Sequence, residues 1–130
     1  MTPIPEPTER ELSILKVLWE RGEATVREVY EALRDTLPIV QNTVQAFLRT
    51  MEQKGLVRHR TVGRSFVYRP VQQGARTRKT MISGVLETVF DGAIDQLVES
   101  AFAARPPSRE ELRRLRELLA QAERAAKARE

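Results

Sequence analysis

Apolar positions in the first half of the chain recur every three or four residues within three segments, as on one face of an α-helix. These segments predict helices over about residues 8–21, 25–37 and 41–54, joined by connections of only a few residues. A glycine or a proline follows each segment as the expected stop signal. The first half of the chain is therefore predicted to begin with a group of three short helices.

Three capping boxes mark where helices begin. Thr8, Thr25 and Ser108 are each followed three residues later by a glutamate. In such a box the hydroxyl accepts a hydrogen bond from an early amide of the helix, while the glutamate reaches back to the amide of the capping residue. Ser108 therefore predicts a further helix in the second half of the chain.

The periodicity changes from helical to alternating after the third helix. Residues 56–61 and 65–69 predict two antiparallel strands, with Gly63 in a tight turn that demands a positive φ. One face of the first strand should carry Val57, His59 and Thr61, and one face of the second should carry Phe66 and Tyr68. Three helices followed by a hairpin is the element order of a winged helix-turn-helix.

The pattern is helical again from about residue 72, with breaks at Asp91-Gly92 and at Arg105-Pro106-Pro107. The apolar stripes are too wide for about 55 residues to bury alone, so two copies of the chain are expected to pair through them. The alternative is that these helices fold back on the winged helix. The residues expected at the dimer interface are Met81, Val85, Leu86, Val89, Phe90, Leu97, Phe102, Leu112, Leu115 and Leu119.

The predicted fold class is mainly α. A winged-helix domain of three helices and a two-stranded β-hairpin is expected over residues 1–71, and an all-helical dimerisation domain over residues 72–130. Within the first domain, the Pro-rich segment Met1–Pro7 is expected to be a short extended arm. No apolar run approaches the length of a membrane span, so membrane insertion is not expected.

Positive charge is concentrated between Pro38 and Thr80. This segment holds nine Lys and Arg residues against a single acid, Glu52, and carries +8, whereas the whole chain carries +4. A basic block on a compact domain is the electrostatic signature of a polyanionic ligand. The alternative is a basic face that is only solvated.

The third helix divides into an apolar face and a polar face. At about 100° per residue, Val44, Leu48 and Met51 fall together as the side that faces the core. The opposite side is predicted to enter a DNA major groove, where Arg reads guanine, Asn and Gln read adenine, and Ala or Thr packs on thymine. The residues of that side are Asn42, Thr43, Gln45, Ala46, Arg49 and Gln53.

Four further residues are predicted to contact the DNA backbone. Arg60 and Arg64 flank the hairpin turn, and Thr25 and Arg27 lie at the start of the second helix. For the two hairpin arginines, the alternative is an edge strand kept soluble by charge. The one histidine, His59, is expected to be structural or solvated.

Together these motifs resemble the penicillinase-repressor family of bacterial transcription regulators, also called the BlaI/MecI/CopY family. The similarity covers residues 8–70 well and the second half more weakly. It implies a homodimer that binds an inverted-repeat DNA operator and represses genes. The absence of cysteine fits a reducing cytosol, so a cytoplasmic location is expected. The motifs that carry it are Glu11-Leu12 with Val17-Leu18-Trp19, Thr25-Val26-Arg27-Glu28-Val29, Asn42-Thr43-Val44 with Leu48, and Lys54-Gly55-Leu56-Val57.

The resemblance also bears on how the DNA would be released. In family members a membrane-bound sensor protease can trigger cleavage within the dimerisation helices, and copper-responsive members carry a cysteine-rich end. This chain has no cysteine, which excludes copper sensing of that kind. At the position that resembles the cleavage site it reads Glu99-Ser100-Ala101-Phe102, without the Asn-Phe pair of the penicillinase repressors. Release by a protease and release by a small ligand both stay open.

The sequence holds no grouping suited to catalysis. It has one histidine, no cysteine, no glycine-rich phosphate loop and no cluster of metal ligands, so no enzyme activity, metal or cofactor is expected. Two functions remain. One is a dimeric, sequence-specific repressor, and the other is a winged-helix module for protein–protein assembly whose basic block binds an acidic partner. The polar side of the third helix favours the first, because assembly surfaces are richer in aromatic residues.

Overall fold

The computed structural model describes residues 6–130, so most of the predicted arm Met1–Pro7 lies outside the described residues. The elements in chain order are α1 (Glu9–Arg21), β1 (Ala24–Thr25), α2 (Val26–Leu33), α3 (Gln41–Lys54), β2 (Val57–Val62), β3 (Ser65–Pro70), α4 (Gly74–Thr88), α5 (Ile94–Ala104) and α6 (Arg109–Arg129). The predicted order of three helices, a hairpin and further helices is confirmed.

All three predicted capping boxes form. Thr8, Thr25 and Ser108 each accept a hydrogen bond from the amide three residues on, and the glutamate at that position accepts one from the capping residue's amide. The third helix also has its predicted limits and ends at Gly55, whose φ of 85° is left-handed. The second helix is shorter than predicted, because it ends at Leu33 and a turn fills the residues before Pro38.

The hairpin belongs to a three-stranded antiparallel sheet in the order β1-β3-β2. In β2 and β3, His59 lies opposite Tyr68 and Thr61 lies opposite Phe66. The added strand β1 was not predicted, because two residues are too few to show a period. It exists through its pairing with β3, in which Ala24 lies opposite Tyr68.

The hydrophobic core lies among α1, α2, α3 and the sheet. The apolar face predicted for α3 is confirmed, since Val44, Leu48 and Met51 are fully buried. They pack with residues of the other elements, and the cluster includes Ile14, Leu15, Leu18, Val29, Val57 and Tyr68. This core fixes which side of α3 is left to solvent.

One buried ion pair joins the start of α1 to the end of α3. The Glu11 side chain is only 2% exposed, and its carboxylate accepts hydrogen bonds from Lys54 Nζ at 2.9 and 3.0 Å and from the Thr8 amide at 2.9 Å. Burial alone would raise the pKa of Glu11, but the bonds from Thr8 and Lys54 outweigh it and lower that pKa. Glu11 is therefore ionised at neutral pH and holds both helices.

The start of α4 packs with α1 in the same compact unit, which extends to Gly84. Trp19 Nε1 donates a hydrogen bond to the carbonyl oxygen of Gln72 at 2.9 Å. Gly74 follows so closely that a Cβ atom there would stand 3.1 Å from the Trp19 ring. A larger residue at this position would therefore require the Trp19 ring to shift by a few tenths of an ångström as α4 begins.

A second compact unit comprises Val85–Glu130. Its turn between α5 and α6 is held by Glu111, which accepts hydrogen bonds from Arg105 at 2.7 and 3.1 Å and from the Ser108 amide. The Arg105 guanidinium, followed by the Ser108 amide, lowers the pKa of Glu111 to about 2. No residue of α5 or α6 is buried. The domain limits predicted at residues 71 and 72 stay a prediction.

The buried pair yields a stability prediction. Lys54→Met should lower the free energy of unfolding at pH 7 by roughly 1–3 kcal/mol, because it leaves the Glu11 carboxylate buried without its cation. The loss should stay below that of a fully buried pair, since the Lys54 side chain is 39% exposed. Denaturant unfolding monitored by circular dichroism measures it, with Lys16→Met on the exposed side of α1 as the control.

The same pair should contribute to acid unfolding. Because the pKa of Glu11 is lowered in the folded state, its stabilisation is present above the ordinary value of 4.5 and is lost as the pH falls below it. Lys54→Met should therefore flatten the dependence of stability on pH in that window. If the free energy of unfolding fell by the same amount in both proteins as the pH is lowered from 5, to within about 0.3 kcal/mol, this account would be contradicted.

Candidate nucleic-acid interface

An open groove of about 570 Å³ lies between the start of α2, the exposed side of α3 and the tip half of the hairpin. The winged-helix core sets its shape, because burial of Val44 and Leu48 turns the polar side of α3 toward it. The residues that line it are Thr25, Val26, Arg27, Gln41, Gln45, Arg49, Arg64, Ser65, Phe66 and Tyr68.

Five of the predicted site residues meet in this groove. Thr25 and Arg27 come from α2 and its cap, Gln45 and Arg49 from α3, and Arg64 from the hairpin turn. Segments about 40 residues apart in the chain thus converge on one surface. The other predicted residues of α3 are exposed on that helix but do not line the groove, and they are Asn42, Thr43, Ala46 and Gln53.

The groove is electropositive. Within residues 6–130, neither Arg49 nor Arg64 forms an ion pair with an acidic side chain, so both guanidiniums are available to an anion. Arg27 is held by Glu31 at 3.0 Å, in an exposed pair of the kind that contributes little to stability. The groove therefore offers hydrogen-bond donors in the fork geometry that suits phosphate and guanine.

The start of α3 lacks the side-chain cap that three other helices of the chain have. Its N-cap residue is Val40, and no side chain caps the helix, whereas α1, α2 and α6 each begin with a complete capping box. The first amides of a helix that lack a side-chain cap can donate to a phosphate oxygen. Because Gln41 at this end lines the groove, these amides lie beside it.

The hairpin is fixed to α3 on the side of the groove. Glu52 of α3 accepts hydrogen bonds from His59 through Nδ1 at 2.7 Å and through the amide at 3.2 Å. The His59 ring stacks on Phe66 with the ring centroids 4.1 Å apart, and Tyr68 lies beside both. His59 is thus structural, as expected, and sets the position of the hairpin relative to α3.

Tyr68 lines the groove with a neutral hydroxyl. Burial, with a contribution from the nearby charge of Glu52, raises the pKa of Tyr68. Tyr68, Phe66 and Gln41 were not among the predicted site residues. The alternation of the strand places Phe66 and Tyr68 on one face, but the helix that this face meets could not be read from local pattern.

Arg60 does not lie in the groove. Its guanidinium donates hydrogen bonds to Glu23 at 2.6 and 3.3 Å, which raise the pKa of Arg60 and lower that of Glu23. Successive side chains of a strand point to opposite faces, so Arg60 points away from the face that carries His59. Glu23, which precedes β1, was missed by the sequence reasoning.

Groups of acidic, histidine or cysteine side chains able to hold a metal ion are absent from residues 6–130. Over the same residues, no helix is both long and apolar enough to cross a membrane. The groove is thus the part of the described chain in which predicted functional residues converge.

Residues 7–121 match a sequence model of the penicillinase-repressor family. The chain belongs to that family. It is 27% identical over 119 residues to the penicillinase repressor of Bacillus licheniformis. The match covers 92% of this chain and 93% of that relative. The family is one of transcriptional repressors rather than enzymes.

Two solved structures of family proteins resemble the winged helix. The DNA-binding domain of the repressor BlaI matches with a TM-score of 0.51 and 32% identity, over 58% of this chain and 92% of that one. Monomeric BlaI of Bacillus licheniformis in complex with the blaP half-operator matches with a TM-score of 0.50 and the same identity and coverage. The predicted winged-helix fold and family are thereby confirmed.

The contacts of His59 with Glu52 and Phe66 yield a prediction about the hairpin. His59→Ala should speed hydrogen exchange at amides of β2 and β3, because it removes the stack on Phe66 and the Nδ1 bond to Glu52 and leaves only the backbone bond to α3. The free energy of unfolding should fall by about 1 kcal/mol. Thr61→Ala, on the same face of β2, is the matched control. Equal exchange in both variants would show that His59 does not fix the hairpin.

Proposed function

We propose that this chain is a sequence-specific DNA-binding repressor that acts as a homodimer on an inverted-repeat operator in the cytoplasm. The observation that carries the proposal is the groove itself, in which Gln45 and Arg49 of α3 meet Arg64 of the hairpin. Gln45 and Arg49 supply side chains that can read bases, and Arg64 supplies a cation for the DNA backbone. The complex of the related BlaI with the blaP half-operator supports DNA as the ligand.

In the proposed complex, α3 enters the major groove of the duplex. Arg49, Gln45 and Asn42 read base edges, and Ala46 and Thr43 approach apolar base atoms. Gln53 extends the same exposed side toward the end of the helix. Arg64, Thr25 and Arg27 contact the phosphates that flank the reading site, and they position α3 without adding base preference.

The homodimer is supported by apolar side chains that the chain leaves uncovered. Val85 and Phe102 are each 39% exposed, and Val89 and Leu119 are 65% and 61% exposed. The other expected interface residues, Met81, Leu86, Phe90, Leu97, Leu112 and Leu115, are only half-buried. A second copy would cover these faces, and a two-fold protein predicts a two-fold operator with half-sites about one helical turn apart.

Proteolytic release is not part of the proposal. The segment that resembles the family's cleavage site lies within α5 and reads Ala101-Phe102. The Asn-Phe pair of the penicillinase repressors is not there, so the sensor protease of those relatives lacks its matching sequence in this chain.

Selection of bound fragments from sheared genomic DNA at about 150 mM salt tests the proposal directly. A recovered inverted repeat is the expected result. Recovery without a motif would contradict sequence specificity. Failure to bind DNA at this salt concentration would instead favour an assembly module for an acidic protein. A DNA-binding surface should bind DNA at this concentration and lose affinity steeply as the salt is raised further.

Two variants separate base reading from backbone contact. Arg49→Ala should relax preference at one position in each half-site and weaken operator binding by about 1–3 kcal/mol. Arg64→Ala should weaken all sequences about equally. Fluorescence anisotropy on the operator and on single-base variants measures both, with Lys16→Ala on the exposed side of α1 as the control. Equal losses on every sequence for both variants would contradict the assignment of Arg49.

A charge at the expected interface tests the dimer. Leu115→Asp should shift the chain to a monomer in sedimentation equilibrium, because an ionised carboxylate cannot be buried unpaired between apolar faces. Operator affinity should fall steeply as one half-site contact is lost. Arg116→Asp, at the neighbouring exposed position of α6, is the matched control. A Leu115→Asp monomer with full operator affinity would contradict the proposed dimeric mode of binding.

A further inference from the structure

One face of the three-stranded sheet carries charge that the groove does not use. Val57 and Tyr68 point into the core, and His59 lies on their side of the sheet. Because side chains alternate along a strand, Arg58, Arg60 and Arg69 point to the opposite side. We call this side the outer face.

Two arginines of the outer face are placed directly against each other. Arg58 of β2 and Arg69 of β3 are partners in the antiparallel register. Like charges directly opposite each other in a sheet are destabilising. Within residues 6–130, neither of the two forms an ion pair with an acidic group that would relieve the repulsion. Local rules of stability are broken in this way chiefly where a ligand compensates.

The outer face has one acidic neighbour. Glu23 binds Arg60 directly, and the charge of Arg69 also reaches the Glu23 carboxyl and adds to the lowering of its pKa after the larger effect of Arg60. Arg60 and Arg69 thus both act on this one carboxylate, and Arg58 has no acidic partner among the described residues. The three guanidiniums and the single carboxylate give a net charge of +2. This excess is arranged in a patch that extends along the hairpin toward Arg64.

We propose that the outer face, defined by Arg58, Arg60 and Arg69, is a second phosphate-binding surface for duplex DNA, separate from the groove. The proposal rests on the DNA-binding function proposed above. Guanidinium groups bind phosphate through two parallel hydrogen bonds, so opposed arginines can share one phosphate or hold two neighbouring ones. The surface adds affinity for the backbone and no base preference.

Duplex DNA fits this face better than an acidic protein does. The hairpin that carries it also carries Arg64 in the groove, so a backbone leaving the groove remains near the same strands. The aromatic residues of the hairpin, Phe66 and Tyr68, lie on the other side with His59. A protein interface needs such side chains near its centre, whereas a phosphate surface needs only cations.

Glu23 acts in this proposal as a competitor of phosphate. Its pair with Arg60 is exposed, with 59% of the Arg60 side chain and 44% of the Glu23 side chain accessible. Such a pair is weak. It can be exchanged for a DNA phosphate, which accepts two parallel hydrogen bonds from a guanidinium as a carboxylate does. Glu23 therefore keeps Arg60 ordered in the free protein and reduces the charge of the outer face by one.

The test compares salt dependence on a duplex that contains the selected operator and on a scrambled duplex of equal length. The variant Arg58→Gln/Arg69→Gln should lower the slope of log affinity against log salt by about 0.9 for each phosphate contact removed, on both duplexes. Base preference should not change. Lys16→Gln is the control for net charge, because Lys16 lies on the exposed side of α1 and has no ion-pair partner among the described residues.

The Tm of the double variant separates binding from a structural role. Removal of two opposed cations should leave the Tm unchanged or raise it. A lowered Tm together with lost affinity would show that the arginines support the fold and would overturn the proposal.

Glu23→Gln provides the opposite change. It frees Arg60 and removes a negative charge that acts on Arg69, so the slope should become steeper by about 0.9 on both duplexes. The effect should vanish when Arg60 is also changed to Gln. Glu117→Gln is the matched control, since it opens an exposed pair with Arg114 on α6, and neither residue belongs to the groove or to the outer face. A slope in Glu23→Gln equal to that of the unmodified protein would contradict the role of the outer face.

The outcomes distinguish this inference from the function on which it rests. If the unmodified protein shows no affinity for duplex DNA, the proposed function fails. If it binds its operator and the double variant keeps the full slope, only the outer face fails as a DNA surface. Loss of retention on immobilised polyglutamate by that same variant would then assign the face to an acidic protein instead.

Discussion

The ion pair between Glu11 and Lys54 is the contact on which the arrangement of the winged helix depends. A carboxylate that is 2% exposed would be costly if left alone, and it is stabilised here by Lys54 and by the Thr8 amide. The same side chain therefore caps α1 and holds the last residue of α3. Apolar packing could bring the two helices together, but directional bonds also define how α3 is seated.

The other important acid, Glu52, has a comparable effect on the hairpin. It is the one acidic residue between Pro38 and Thr80, and its carboxylate is bound to His59 rather than to any of the nine cations of that segment. Among the described residues, Lys54 and Arg60 are therefore the cations of this segment that have acidic partners, and those partners lie outside the segment. The two glutamates thus connect α3 to α1 and to the hairpin, and they leave Arg49 and Arg64 without acidic partners among the described residues.

The parts that sequence predicted well are those governed by neighbours in the chain. Thr8, Thr25 and Ser108 mark helix starts through bonds that span three residues, and Gly55 ends α3 through its own left-handed φ. Contacts between distant segments could not be predicted in the same way. Strand β1 exists only through β3, and the pair of Arg60 with Glu23 joins residues 37 positions apart. Arg60 and Arg64 looked equivalent beside the turn, yet Arg60 lies in β2 and pairs with Glu23, whereas Arg64 lies in the turn itself and lines the groove.

The exposed apolar helix faces and the opposed arginines of the sheet share one physical consequence, which is a lower stability of the chain when it is alone. Exposed Val89 and Leu119 weaken a single copy in water, and the opposed Arg58 and Arg69 weaken the sheet that carries them. Each becomes favourable only in contact with another molecule. If a second copy covers the apolar helices and a duplex neutralises the arginines, the two bindings are linked, because a dimer presents two copies of every basic surface to one polyanion. A fold that left neither surface uncovered would gain stability as a monomer and lose this coupling.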